Sequence, residues 1–271
     1  MSRLSPTFQR LAEKGRSGFV AYITAGDPDL EATRSIVLEM ARRGVDILEL
    51  GIPFSDPMAD GPANQVSAQR ALENGVSLGD VLRLVEDLRG ETELPIVLFT
   101  YYNPVFRYGL EAFVDRASEA GVDGVLALDL PPEEAGEYKR LMDDRELDTI
   151  FLITPTTRDD RIRLITSWTT GFVYTVSRTG VTGEQDRLSD TIQPMVDRIR
   201  KHTFLPVAVG FGISRPDQVG EVASYADAVV VGSAINRRIG EFQGDPQLVR
   251  KIGDFVETLT EPLKGAAHGD R

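Results

Sequence analysis

Short apolar runs, rich in β-branched residues, alternate along the chain with longer segments whose apolar residues return every three or four positions. The runs are FVAYITA (19–25), DILEL (46–50), PIVLFTY (95–101) and GVLALDL (124–130), then TIFLIT (149–154), FVYTVS (172–177), PVAVGFG (206–212) and DAVVVGS (227–233). Their length and side-chain content predict strands. Between them, LEATRSIVLEMARRG (30–44) sets Ile36, Met40 and Ala41 on one face, and LEAFVDRASEAG (110–121) does the same with Phe113, Ala117 and Ala120. These are amphipathic helices. Strands that are apolar almost throughout are covered on both faces, the condition of a parallel sheet flanked by helices. Eight strand–helix units in about 250 residues predict an α/β fold with a single closed (β/α)₈ TIM barrel spanning residues 1–271. An open doubly wound sheet would carry G-x-G-x-x-G after its first strand, whereas AGDPDLEA (25–32) has one glycine. An extra N-terminal helix over residues 5–14 is expected to cap the barrel floor, and KGAAHGDR (264–271) is expected to fray.

Hydrophobic residues make up 41% of the chain, enough for a sizeable core. No apolar run approaches ~18 residues, and the first 18 residues lack a hydrophobic signal core, so a cytoplasmic location with no membrane partner is expected. The net charge of −12 argues against a nucleic-acid partner. Much of that acidity lies in segments such as EEAGEYKRLMDDRELD (133–148), which reads as a solvated helix face. With no cysteine there is no thiol nucleophile, disulfide or thiolate metal site.

In such a barrel the chemistry sits at the C-terminal ends of the strands. Alternation along DILEL puts Ile47 and Glu49 on one side and Leu48 and Leu50 on the other. If Ile47 fills the interior, Glu49 stands above it at the mouth. Of the two histidines, His202 precedes the seventh strand, on the floor, and His268 lies in the tail. Lys14, Lys139, Lys201, Lys251 and Lys264 all fall in helices or the tail, so no strand end offers a Schiff-base amine. A metal at the mouth would have to rely on oxygen ligands alone. The acid–base candidates left are Glu49, Asp56, Asp60, Asp129 and Asp27. Two plainer roles compete: a salt bridge from Glu49 to Arg178, and a turn or helix cap for Asp60 in its Asp-Gly pair. Glycine-containing loops TGVTGEQ (179–185), GFGIS (210–214) and VGSAI (231–235) follow the last three strands. There backbone N–H groups and a helix N-terminus can hold a phosphate without any lysine.

The motifs YITAGDPD (22–29), ELGIPFSDPMADGP (49–62), YYNPVFRYG (101–109), LDLPPEE (128–134), SRTGVTG (177–183), GFGIS and VGSAI occur in order over nearly the whole chain. In this the sequence resembles the tryptophan synthase alpha subunit family. The resemblance implies a lyase that splits indole-3-glycerol phosphate into indole and glyceraldehyde 3-phosphate. It implies no cofactor in this chain, and a pyridoxal-phosphate-dependent beta subunit as partner in an alpha-beta-beta-alpha heterotetramer, receiving the indole through an internal tunnel. By the same resemblance Glu49 and Asp60 are the catalytic pair. Gly183, Phe211, Gly212, Gly232 and Ser233 match the phosphate loops. Tyr22, Phe99, Tyr101, Leu126, Leu128, Ile153 and Tyr174 match the indole pocket, and Thr182 belongs to a lid over residues 178–190 that meets Asp60. Tyr22 and Phe99 stand where other members often carry Phe and Leu, and Ala63 and Asn64 where bulkier or apolar residues are frequent. A phosphosugar isomerase on the same barrel, or a phosphate-binding effector without catalysis, are the competing classes. The aromatic lining speaks against the first, and retention of both Glu49 and Asp60 against the second.

Overall fold

In a computed structural model, which describes residues 2–176, 189–210 and 212–264, every one of the eight apolar runs contributes to one parallel sheet. The strands are β1 (Gly18–Thr24), β2 (Ile47–Gly51), β3 (Ile96–Thr100), β4 (Gly124–Ala127) and β5 (Asp148–Ile150). After them come β6 (Leu152–Ile153), β7 (Val173–Val176), β8 (Val207–Gly210) and β9 (Ala228–Val231). The spatial order is β5-β4-β3-β2-β1-β9-β8-β7-β6. The fifth run, expected as one strand, is interrupted at Phe151 and becomes β5 and β6. Those two are the ends of the sheet order, so the sheet comes round on itself across a single residue. The result is a nearly closed TIM barrel.

The helices run α1 (Leu4–Glu13), α2 (Leu30–Arg42), α3 (Pro62–Glu73), α4 (Leu78–Arg89), α5 (Tyr102–Tyr108) and α6 (Leu110–Ala120). They continue with α7 (Gly136–Asp144), α8 (Asp159–Trp168), α9 (Ser189–Arg200), α10 (Pro216–Ala223), α11 (Ser233–Glu241) and α12 (Leu248–Lys264). Local signals set their ends. Asp29 caps α2 by accepting the Ala32 N–H at 2.7 Å, and Ser77 and Asp80 form a reciprocal capping box on α4. Among the described residues no helix is long and apolar enough to cross a membrane.

Strand alternation divides the core in two. Phe19, Ala21 and Ile23 of β1 and Leu48 and Leu50 of β2 face the surrounding helices, against residues such as Ile36, Val37 and Met40 of α2. The opposite parity, Val20, Ile47, Val97, Leu126, Ile150, Tyr174, Ala208 and Ala228, fills the barrel. α1 closes its floor with Leu4, Phe8 and Leu11, the Phe8 ring lying 5.7 Å from that of Phe172. Burying each of these side chains contributes about 1.5–3 kcal/mol. The helix is anchored at its start by Asp123, fully buried, which accepts the Arg3 N–H at 2.8 Å and the Arg89 guanidinium at 2.7 Å. The mouth lies at the opposite end, where the strands finish.

Candidate active site

A cavity of about 790 Å³ opens at the C-terminal ends of the strands, a volume typical of small-ligand sites. Its inner wall is set by strand register. β1 and β2 pair so that Tyr22 lies beside Glu49, and β2 and β3 so that Glu49 lies beside Val97. Glu49 is therefore inside the barrel, directly above Ile47, and fully buried. Neither carboxyl oxygen has a hydrogen-bond partner among the described residues. Burial without compensation pushes this carboxyl from its ordinary value of 4.5 up to about 8. Near neutral pH it is a carboxylic acid, with a proton to give.

This shift carries a stability consequence. Between 4.5 and about 8 the folded chain holds the Glu49 proton while the unfolded chain releases it. Folding stability from this group is thus intact below 4.5 and lost as pH rises through about 8, at about 1.4 kcal/mol per unit. Glu49→Gln removes the ionisation, so denaturant unfolding should show its stability advantage over wild type growing by several kcal/mol from pH 5 to pH 9. A constant difference across that range would contradict the buried-acid assignment.

Asp60 reaches the same cavity from the loop between β2 and α3. The Tyr101 hydroxyl accepts the Ala59 N–H at 2.9 Å, which commits its own hydrogen to Asp60 Oδ2, also at 2.9 Å. Asn64 Nδ2 donates to Asp60 Oδ1 at 3.4 Å. Burial raises the Asp60 carboxyl, and the Tyr101 and Asn64 hydrogen bonds pull it back part of the way. The two carboxyls thus differ in kind: Glu49 has no donor among the described residues, whereas Asp60 is held by two.

The remaining acids are occupied elsewhere. Asp27 is buried in a bidentate pair with Arg70, at 2.7 and 2.6 Å, and also accepts from Ser67. Asp129 accepts the Tyr102 N–H at 2.6 Å at the start of α5, and exposed Asp56 accepts from Ser55 at 2.6 Å. Among the described residues no three His, Cys, Asp or Glu side chains gather to hold a metal ion.

Aromatic rings make the walls. Tyr22 and Phe99 meet edge to face at 4.8 Å, and Tyr174 and Leu128 complete this side. Tyr22 fits because Gly51 and Gly232 flank it: a Cβ on either would lie 2.5 Å from its Oη or 2.8 Å from its Cδ1. Leu126 sits deeper, in the barrel filling, and Tyr101 acts through Asp60. Ile153 does not reach the cavity. It lies in the outer layer, and Leu152 lines the wall in its place, because Leu152 shares the inward parity of Ile150. Leu152, Val230, Asn236 and Arg237 line the cavity without having been expected there. Strand parity was available as a signal in the sequence for Leu152 and Val230, and none was for Asn236 and Arg237.

The far end of the cavity is polar backbone. Gly212, in the left-handed region at φ +78°, Gly232 and Ser233 line it together. α10 begins nearby, but the N–H groups of Ser214 and Arg215 are already taken by the Gln218 side chain at 2.9 and 3.2 Å. α11, starting at Ser233, has no side-chain cap, so its first N–H groups are the ones left to an anion. Phe211, Arg178, Thr182 and Gly183 lie outside the described residues, as do most of the expected lid and the tail after residue 264.

With this geometry in view, the sequence matches the family model described as tryptophan synthase alpha chain over residues 8–264. The chain belongs to the tryptophan synthase alpha chain family. The relative from Geotalea uraniireducens (strain Rf4), a tryptophan synthase alpha chain, is 52% identical over 264 residues, covering 97% of this chain and 98% of that one. Tryptophan synthase subunit alpha from Legionella pneumophila str. Paris matches in structure with a TM-score of 0.90 at 34% identity, covering 98% of this chain and 100% of that chain. A chain from Aquifex aeolicus VF5 gives 0.88 at 41% identity, covering 97% and 99%. Family membership thus extends over both the Glu49 and Asp60 side of the cavity and its glycine-lined end.

Proposed function

We propose that this chain is the lyase of tryptophan biosynthesis that cleaves indole-3-glycerol phosphate to indole and glyceraldehyde 3-phosphate. Membership of the tryptophan synthase alpha chain family supports the biosynthetic role. The observation that carries the reaction is Glu49: a buried carboxylic acid at the inner wall of an aromatic cavity, raised to about 8.

Indole cannot leave as a bare C3 carbanion at neutral pH. In our reading Glu49 protonates C3, and the ring becomes an indoleninium able to accept an electron pair. Asp60 accepts the ring N–H and stabilises the transient positive charge. Glu49, now a carboxylate, removes the proton of the side-chain hydroxyl next to the bond. The carbon–carbon bond breaks, its electrons return to the ring, and an aldehyde forms on the three-carbon phosphate. One proton is given and one taken, so Glu49 ends as it began. A group near pKa 8 suits both halves. Tyr22, Phe99, Leu128, Leu152 and Tyr174 would enclose the indole, with the phosphate on Gly212, Gly232 and Ser233.

A pyridoxal-phosphate-dependent beta subunit is the proposed partner, in an alpha-beta-beta-alpha assembly, docked over the barrel mouth. Met58, in the loop after β2, and Phe106, on α5, are 88% and 70% exposed on that face, where such large apolar side chains favour a protein contact. The test is indole release from indole-3-glycerol phosphate by the purified chain, with and without a metal chelator and the beta subunit. Indole should appear, chelation should leave its rate unchanged, and the beta subunit should raise it. No indole under any condition overturns the proposed reaction; loss on chelation restored by added metal overturns the metal-free mechanism.

A further inference from the structure

Asn236 on α11 is fully buried, and Asn64 on α3 is half-buried, 172 residues away in sequence. A buried amide is acceptable only when its donors and acceptors are matched, and here the matching has a direction. The Thr24 backbone N–H, at the end of β1, points at Asn236 Oδ1 at 3.3 Å. A backbone N–H can only donate, so Asn236 must turn its carbonyl oxygen toward it. Asn236 Nδ2 then faces Asn64 Oδ1 at 3.0 Å, with Thr24 Oγ1 at 3.5 Å as a second acceptor. That fixes Asn64 in turn, and its Nδ2 faces Asp60 Oδ1 at 3.4 Å.

We propose that Asn64 and Asn236 are positioning residues for Asp60, forming a directed hydrogen-bond relay from the β1 backbone that keeps a donor on the Asp60 carboxylate. The inference rests on the role given to Asp60 above. With Tyr101 on Oδ2, each carboxylate oxygen has one donor from the protein and a lone pair left for a ligand N–H. Asn236 lies one helical turn after Ser233, so the relay also ties Asp60 to the helix that bounds the anion-binding end of the cavity. Without Asn236 the Asn64 amide is free to turn over and present its oxygen to the carboxylate, which repels it.

The ionisable groups sharing this space are Tyr22 of β1, Glu49 of β2, Arg70 of α3, Tyr174 of β7, Arg237 and Glu241 of α11, and Tyr101 on Asp60 itself. Asn64→Leu, Asn236→Leu and the double variant leave all of them in place. Steady-state indole release and a carbon-13 carboxyl titration of Asp60 are to be measured for each. Losing a hydrogen bond to a charged group predicts about a tenfold fall in kcat with KM within about twofold. The fall should be alike in both single variants and the double, and the Asp60 midpoint should move upward in all three. An unmoved midpoint with kcat within about twofold of wild type in Asn64→Leu overturns the proposal. So does recovery of wild-type kcat in the double variant, the result expected of a pair that only packs. Asn64→Leu, at the half-buried position, keeps the test standing if Asn236→Leu does not fold. The titration needs no turnover, so it tests the relay even if the wild-type chain fails to release indole, a result that would count against the cleavage reading alone.

Discussion

Glu49→Gln is expected to lower indole release by about 10²–10⁴-fold while leaving the fold and ligand binding in place. The amide occupies nearly the same space and adds one N–H donor to the polar atoms that the carboxylic acid already leaves without a partner among the described residues. It can neither deliver a proton to C3 nor accept one from the hydroxyl, so both halves of the reaction fail together. Binding of a non-cleavable indolyl-alkyl phosphate should be within a few-fold of wild type, which separates lost chemistry from a damaged cavity. A variant that kept a tenth or more of the wild-type kcat would remove Glu49 from the proton-transfer role.

Asp60→Asn is expected to cost about 10²–10³-fold in kcat, the range seen when a charge-stabilising group is removed from a preorganised site. Two effects act in the same direction. The negative charge facing the indole N–H is lost, and one of the two oxygens becomes an NH₂ group. That NH₂ must then face either the Tyr101 hydroxyl, committed as a donor by Ala59, or the Asn64 amide, committed through Asn236. Indole release by the variant, with unfolding followed in parallel, checks this. The α3 N-cap is Gly61, with no side-chain cap, so activity within tenfold of wild type at unchanged stability would mean that the Asp60 charge does little for the reaction.

Much of the site was legible because strand parity is a strong constraint. In DILEL alternation put Glu49 on the side of Ile47, and the structure turns that side inward, with Glu49 above Ile47. The same parity was available in TIFLIT, where Ile150 and Leu152 point inward together. The resemblance instead selected Ile153, which packs against the helices. Parity, not motif alignment, was the better guide at that strand. The fates of Asp27 and Asp129 depended on partners, Arg70 and the Tyr102 N–H, whose positions are set by tertiary packing. The Asn64–Asn236 contact spans 172 residues and carries no periodicity, and nothing short of the assembled barrel brings the two amides together.

The seal that Leu4, Phe8 and Leu11 place across the barrel floor makes the interior a cul-de-sac. On the floor side the way is closed by the barrel filling and α1, and among the described residues the cavity opens at the strand ends. A small apolar product set free against Glu49 has no rear exit, so its residence time is governed by what stands over the mouth. Behind Glu49 the buried layer of Ile47, Val97, Leu126 and Ile150 stands between the cavity and that floor, so a polar residue in place of Phe8 would loosen α1 without opening a path from the site.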